Sequence, residues 1–148
     1  MKLKIAWIGK TREPAIQALT DEYLTRISRY AEVEGIMLRD EEALLALGGR
    51  AGKSAAKSTL TLMDSRGKEF SSEQFAEFLG EYQDRNPLPL VFAIGGADGF
   101  AKETRAAARH VISLGKMTLP HELARVVLLE QVYRAFTILQ GHPYHSGH

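Results

Sequence analysis

The sequence predicts an α/β protein with a mostly parallel sheet flanked by helices. Short apolar runs alternate with segments whose apolar residues keep helical spacing, as they do when each strand is followed by a crossover helix. Residues 88–94 are apolar throughout, which is typical of a central strand buried on both faces. At 148 residues the chain is predicted to form one domain, spanning 1–148.

The predicted strands, in chain order, cover residues 2–8, 31–38, 59–63, 88–94 and 111–114. The first helix begins at Pro14 and the second covers 41–47, while the third follows a cap at Ser71 or Ser72. A fourth helix lies over about 100–109, and a long fifth covers 120–139 with Pro120 at its start. Residues 64–67 (Asp-Ser-Arg-Gly) are predicted to form a turn after the third strand.

Composition excludes several classes of protein. The chain has no cysteine, so disulfides, thiolate zinc sites and cysteine nucleophiles are excluded. No segment reaches the roughly 18 consecutive apolar residues that span a bilayer, and the N-terminus does not read as a signal peptide. We therefore expect a soluble, cytoplasmic protein. A net charge of +1 argues against indiscriminate binding of nucleic acid.

Charge is nevertheless uneven along the chain. Residues 101–148 contain 6 basic and 3 acidic side chains, and all 5 histidines lie in this stretch. A basic, histidine-rich C-terminal third can face phosphate, although chance clustering explains these counts equally well.

The loop from Gly48 to Ser54 resembles a phosphate-binding P-loop but departs from its spacing. Four residues must separate the first glycine from Gly-Lys-Ser, and here there are three. The loop also follows a helical pattern rather than a buried strand. Nucleotide hydrolysis is therefore disfavoured, and a flexible connector with Arg50, Lys53 and Lys57 available for RNA contact is favoured.

Two glycine-bearing loops follow two buried strands near the C-terminus. Ligands bind outside the carboxyl ends of the strands in open α/β sheets, and Gly95-Gly96 lets the backbone approach a ligand closely. In the second loop, residues 115–120, Met117 and Leu119 can form apolar walls around a ring system. The glycine spacing is not that of a dinucleotide site, and a tight turn would also explain the first loop.

The long helix carries charged residues within an apolar pattern. His121 and Arg125 are four residues apart and share a face, as do Glu130 and Arg134. The apolar residues predict that the helix is buried or lies at an interface. A functional stripe and ordinary amphipathicity with a surface ion pair both remain open.

Four blocks occur in order: Phe-Ala-Ile-Gly-Gly-Ala-Asp-Gly at 92–99, Ser-Leu-Gly-Lys-Met-Thr-Leu-Pro-His at 113–121, Glu-Gln-Val-Tyr-Arg-Ala at 130–135 and His-Pro-Tyr-His at 142–145. Together they resemble the RlmH family, the pseudouridine N3-methyltransferases of bacterial large-subunit rRNA. The blocks cover about the last 57 residues closely. The N-terminal two-thirds resembles the family in length and in strand–helix order.

The resemblance implies a SPOUT fold with a C-terminal trefoil knot, and a homodimer in which the partner chain completes the active site. It implies S-adenosylmethionine as cofactor, no metal, and large-subunit rRNA in the assembled ribosome as substrate. The implied cofactor-binding residues are Met63, Gly96, Gly115, Lys116, Met117, Thr118, Leu119 and Pro120. The residues implied to lie near the target base are His121, Arg125, Arg134, Tyr144 and His145.

One feature departs from the family pattern, and some alternatives stay open. Family members usually carry a basic residue after Pro-Tyr-His, whereas this chain continues with Ser146, Gly147 and His148. For catalysis we expect Arg134 to stabilise developing negative charge, with His121 or His145 as proton acceptor. A different target base, a tRNA target, or a non-enzymatic role in ribosome assembly are the rival interpretations.

Overall fold

A computed structural model describes residues 1–48 and 57–146 of the chain. The strands are β1 (Lys2–Ile8), β2 (Glu32–Leu38), β3 (Thr59–Glu69), β4 (Leu90–Ile94) and β5 (His110–Ser113). The helices are α1 (Pro14–Ile27), α2 (Glu41–Gly48), α3 (Ser72–Arg85), α4 (Lys102–Ala107) and α5 (His121–Leu139). Apart from Gly48, the loop that resembles a P-loop lies outside the described residues.

The five strands form one sheet in the order β2-β1-β4-β3-β5. Every pairing between neighbouring strands is parallel. The predicted α/β class is therefore confirmed, with β4 at the centre of the sheet. The trefoil knot stays a prediction, because strand order alone does not report how the chain is threaded.

Strand β4 is buried over its whole length and contributes side chains to two separate hydrophobic cores. Leu90, Phe92 and Ile94 pack on the face covered by α1, α3 and α5. Val91 and Ala93 point to the opposite face, where the core includes residues of α2. Successive side chains of a strand alternate between faces, so an unbroken apolar run is what a central strand requires.

The prediction of a turn at residues 64–67 is wrong, because these residues lie inside β3. Met63 and Lys68 both pair with Ile112 of β5, so the four residues between them form an irregularity in a continuing strand. A Cβ on Gly67 would lie 2.5 Å from the carbonyl carbon of Val111, so only glycine permits this close approach of β3 to β5. Asp and Gly therefore mark a bulge here.

Helix α5 packs between α1 and α3 and includes the candidate site residues His121, Arg125 and Arg134. Leu128, Leu129 and Val132 are fully buried on its inner side. Phe136 stacks on Tyr30, with the ring centroids 5.7 Å apart. The prediction that this helix is buried is confirmed. Within the described ranges, no helix is both long and apolar enough to cross a membrane.

The hydroxyl group of Tyr82 ties the end of α3 to the edge of the sheet where β3 and β4 begin. It lies 2.8 Å from Thr59 Oγ1 and donates to the carbonyl oxygen of Leu88 at 2.7 Å. Burial raises the pKa of this phenol, so the group remains a neutral donor. These contacts hold α3 against the sheet next to the helix that carries the candidate site.

Replacing Tyr82 by Phe is expected to lower the free energy of unfolding by about 1–2 kcal/mol, because Thr59 and Leu88 lose a buried partner. Urea denaturation followed by circular dichroism measures the change. Tyr30→Phe is the matched control, since the Tyr30 hydroxyl has no hydrogen bond within the described part of the chain and the ring stays stacked. Equal losses in the two variants would contradict the assignment.

Candidate active site

A cavity of about 330 Å³ opens at the edge of the sheet where β4 and β5 end and where β3 passes through its bulge. This volume lies within the range of small-molecule sites. Its walls come from residues 63–66, the loop 95–99, the loop after β5, and the start of α5. Both glycine-bearing loops therefore border the same cavity.

Apolar side chains and bare backbone form much of the cavity wall. Met63 lies within β3, Ile94 is the last residue of β4, and Leu114 follows β5 directly. A Cβ placed on Gly96 would meet no atom within 4 Å, so this residue leaves open space beside its backbone. Gly99 turns back on Gly96 with φ +73°, donating its amide to the Gly96 carbonyl at 3.1 Å. Such a wall suits flat rings and backbone hydrogen bonds.

Charged side chains lie on one side of the cavity. The Arg66 guanidinium donates from Nε and Nη2 to the two carboxylate oxygens of Asp64, each at 3.0 Å. These hydrogen bonds keep the pKa of Asp64 below its usual value, so the carboxylate is ionised. Asp98 adds a second, exposed carboxylate. Sequence reasoning missed Asp64 and Arg66 as site residues because it assigned them to a turn.

Most of the predicted cofactor residues lie together at the cavity. Those that line it are Met63, Gly96, Gly115, Met117, Thr118 and Leu119. Lys116 and Pro120 are not among its lining residues. The Pro120 carbonyl instead accepts the amide of Ala124 at 2.8 Å, which starts α5.

His121 and Arg125 lie four residues apart on α5, yet only His121 lines the cavity. Arg125 is 1% exposed and stacks on the Trp7 indole, with its guanidinium carbon 4.0 Å from the ring centroid. Its Nη1 donates to Thr11 Oγ1 at 2.8 Å and to Thr20 Oγ1 at 3.3 Å. Burial lowers the pKa of this guanidinium. Arg125 thus fastens the start of α5 to β1 and α1.

Five polar residues from α3, α5 and the C-terminal segment form a second group, which we call the tail cluster: Glu73, Glu130, Arg134, Tyr144 and His145. Arg134 donates to Glu130 through Nε at 3.1 Å and through Nη2 at 2.9 Å. Tyr144 donates its hydroxyl to the same carboxylate at 2.9 Å. The His145 ring lies 2.9 Å from Arg134 Nη1 and 2.7 Å from Glu73 Oε1.

The tail cluster keeps its groups in defined charge states. Hydrogen bonds to Glu130 raise the pKa of Arg134, so the guanidinium stays charged. Burial, followed by the hydrogen bond to Glu130, raises the pKa of Tyr144, whose hydroxyl remains protonated. The Glu130–Arg134 pair is therefore more than an exposed ion pair, because both side chains are about one-fifth exposed or less, at 21% and 16%.

Within one chain the tail cluster and the cavity are separate. Arg134 follows His121 by 13 residues on a single helix, which corresponds to about 20 Å along its axis. The structure therefore brings together Arg134, Tyr144 and His145, and it brings together His121 and the cofactor loops, but it does not join the two groups. Of the atypical tail, Ser146 donates to the Pro143 carbonyl at 3.1 Å, whereas Gly147 and His148 lie outside the described residues.

No three His, Asp or Glu side chains converge in a metal-holding arrangement in the described ranges 1–48 and 57–146.

Comparison with known proteins identifies the family to which the chain belongs. A family model described as "Predicted SPOUT methyltransferase" matches residues 1–145. A relative from Koribacter versatilis, named ribosomal RNA large subunit methyltransferase H, is 60% identical over 148 residues, all of both chains. A relative of the same name from Geobacter sulfurreducens is 44% identical, covering 98% of this chain and 99% of its own. The chain belongs to the SPOUT methyltransferase family, which confirms the resemblance noted in the sequence.

Solved structures share the fold at low identity. A probable methylase family protein from Haemophilus influenzae aligns with a TM-score of 0.63 at 9% identity, over 96% of this chain and 69% of its own. A putative methyltransferase from Legionella pneumophila, solved in complex with S-adenosylmethionine, aligns with a TM-score of 0.52 at 13% identity, over 91% of this chain and 66% of its own. At these identities the likeness shows the fold alone.

Replacing Asp64 by Asn is expected to cost about 1 kcal/mol of stability at pH 7, because the carboxylate that holds Arg66 is lost. The lowered pKa of Asp64 means that its contribution is present above the ordinary pKa of about 4 and is lost as pH falls through the folded-state value. The difference in unfolding free energy between wild type and variant should therefore shrink below about pH 4.

Urea denaturation at several pH values measures this dependence. Asp98→Asn is the matched control, since Asp98 lines the same cavity but is exposed and has no hydrogen bond within the described residues. A destabilisation by Asp64→Asn that is the same at pH 7 and pH 3 would contradict the assignment.

Proposed function

We propose that this chain transfers a methyl group from S-adenosylmethionine to N3 of a pseudouridine in large-subunit ribosomal RNA. The observation that carries the proposal is the 60% identity, over the full length of both chains, to a protein named ribosomal RNA large subunit methyltransferase H. The cavity at the carboxyl ends of the parallel strands β4 and β5 supports it, because that edge is where α/β sheets bind their ligands.

The residues of the cavity fit S-adenosylmethionine. The cofactor supplies a methyl group on a positively charged sulfur. Met63 and Leu119 offer apolar surface for the adenine, and the loops around Gly96 and Gly115 offer backbone donors and acceptors for its edge. Asp98 adds negative charge at the cavity beside the paired Asp64 and Arg66, which favours a cationic ligand. Lys116 and Pro120 are proposed to act through the conformation of their loop.

Methyl transfer to an imide nitrogen requires alignment of donor and acceptor and the removal of one proton. We assign His121, at the cavity wall, as a proton acceptor, with His145 as the alternative. Arg134 stabilises negative charge on the base, since its guanidinium is charged and already oriented by Glu130. Tyr144 holds the same carboxylate. The burial of Arg125 favours a supporting role for it behind His121.

A homodimer would unite the two groups of residues. Arg134 lies about 20 Å from His121 along α5, too far for both to act on one base within one chain. A symmetric pair of chains can place the tail cluster of one protomer at the cavity of its partner. Leu119 and Leu123, together with Leu19 of α1, are large apolar side chains left exposed, at 37%, 46% and 42%. They supply apolar surface for such a contact.

The charge of the chain favours an assembled substrate. A net charge of +1 releases few counterions on binding naked RNA, so affinity for free rRNA is expected to be low. The shape of an assembled ribosome offers further contacts that do not depend on phosphate. The proposed site of action is accordingly the cytoplasm.

Methylation of ribosomes from a strain that lacks the gene tests the substrate. Whole ribosomes should accept label from S-adenosylmethionine, free large-subunit rRNA should accept much less, and mass mapping should place the methyl group on a pseudouridine. Arg134→Ala is the inactive control, expected to bind cofactor without transferring methyl. Label on tRNA or on another base would support a different RNA target. Absence of cofactor binding at millimolar concentration in calorimetry would support a non-enzymatic role.

Mixing two inactive variants tests the shared active site. Gly96→Ala adds a methyl group where no protein atom stands, so it is expected to project into the cavity and block the cofactor. Arg134→Ala removes the guanidinium. If each site combines the cavity of one chain with the tail cluster of its partner, only mixed dimers carry one intact site. An equal mixture, after subunit exchange, should then recover about one quarter of wild-type activity. Activity no higher than that of either parent would contradict the arrangement.

A further inference from the structure

Both ring nitrogens of His145 are engaged by charged partners in the tail cluster. Nδ1 lies 2.9 Å from Arg134 Nη1, and Nε2 lies 2.7 Å from Glu73 Oε1. A guanidinium can only donate hydrogen bonds, and an ionised carboxylate can only accept them. Nδ1 must therefore be the acceptor, and Nε2 must carry the proton.

The other states of the ring do not satisfy both partners. With the proton on Nδ1, two N–H groups would face each other at Arg134, and a lone pair would face the carboxylate of Glu73. A doubly protonated ring would keep Glu73 as a partner but lose Arg134. The neutral ring with its proton on Nε2 alone matches both contacts.

We propose that Glu73 is a positioning residue for methyl transfer, which fixes His145 in the Nε2–H tautomer and thereby orients Arg134. The inference rests on the proposed role of Arg134. Glu73 lies in the first turn of α3, 72 residues from His145 in the chain, and no part of the predicted site includes it. Hydrogen bonding to His145 also lowers the pKa of this carboxyl, which keeps it an acceptor at neutral pH.

The contact reaches Arg134 because each of its three guanidinium nitrogens makes a hydrogen bond. Nε and Nη2 hold Glu130, and Nη1 holds the lone pair of His145. Removing Glu73 leaves the ring held at Nδ1 alone, so the histidine can rotate away from Arg134 and then exchange its proton between the two nitrogens. Arg134 then loses the acceptor that fixes Nη1, and its guanidinium plane is held from one side only. While His145 is hydrogen-bonded to both Arg134 and Glu73, neither of its ring nitrogens is free to accept a proton. Proton removal is then left to His121.

Long-range ¹H–¹⁵N spectra of the ligand-free protein at pH 7.5–8, with His145 assigned through His145→Asn, test the tautomer independently of any activity. Wild type should show the Nε2–H pattern, and Glu73→Ala should show averaging between tautomers. Glu73→Gln should retain the wild-type pattern, because its amide oxygen still accepts from Nε2. A doubly protonated or Nδ1–H ring in wild type would overturn the proposal.

Kinetics on ribosomes test the link to Arg134. Glu73→Ala is expected to lower kcat about tenfold with KM for S-adenosylmethionine unchanged, and Glu73→Gln should recover most of the loss. Glu77→Ala, one turn further along the exposed side of α3, is the matched control and should behave as wild type. A wild-type kcat in Glu73→Ala, with the averaged spectrum present, would also overturn the proposal. Wild-type protein that methylates no RNA would instead refute the proposed function, while the spectra still report the tautomer.

Discussion

The parallel direction of β3, β4 and β5 is the constraint on which the site depends. Parallel strands deliver all their carboxyl ends to one edge of the sheet, and each strand must leave that edge through a loop. The loops after β4 and β5 meet there and enclose the cavity together with residues 63–66 of β3. The central strand β4 can take this place only because both of its faces are apolar. The bulge in β3 is part of the same constraint, since it lets the strand run on past the cavity and pair further with β5.

Helix α5 keeps the cavity and the tail cluster apart. It is held on one side by apolar packing against α1 and α3 and at its start by the buried Arg125. A helix fixed in this way cannot bend His121 and Arg134 towards each other, so the distance between them is a property of the fold. The carboxylates of the tail cluster come from both α3 and α5, so it links these two helices. One chain thus carries two separate groups of residues, the cavity and the tail cluster.

The sequence predicted what local pattern can report. The pattern of apolar residues located the five strands and five helices of the described residues, and the two predicted glycine-bearing loops both border the cavity. What it missed depends on partners far away in the chain. Asp64 and Gly67 have the composition of a turn, and only the approach of β5 makes them a bulge. Arg125 follows His121 by four residues, as its position in the sequence shows, but the burial of its side chain is decided by β1 and α1. Glu73 has no local signature as a site residue, since its partner is 72 residues distant.

The stacking of Arg125 on Trp7 gives the protein a spectroscopic property of its own. Trp7 is the single tryptophan among 148 residues, and it is 8% exposed. Its indole faces a cation carried by α5, at 4.0 Å from the guanidinium carbon. The emission of this indole therefore depends on whether the first turns of α5 are seated against β1. Intrinsic fluorescence can follow the docking of that helix during refolding, or during subunit exchange, without any label.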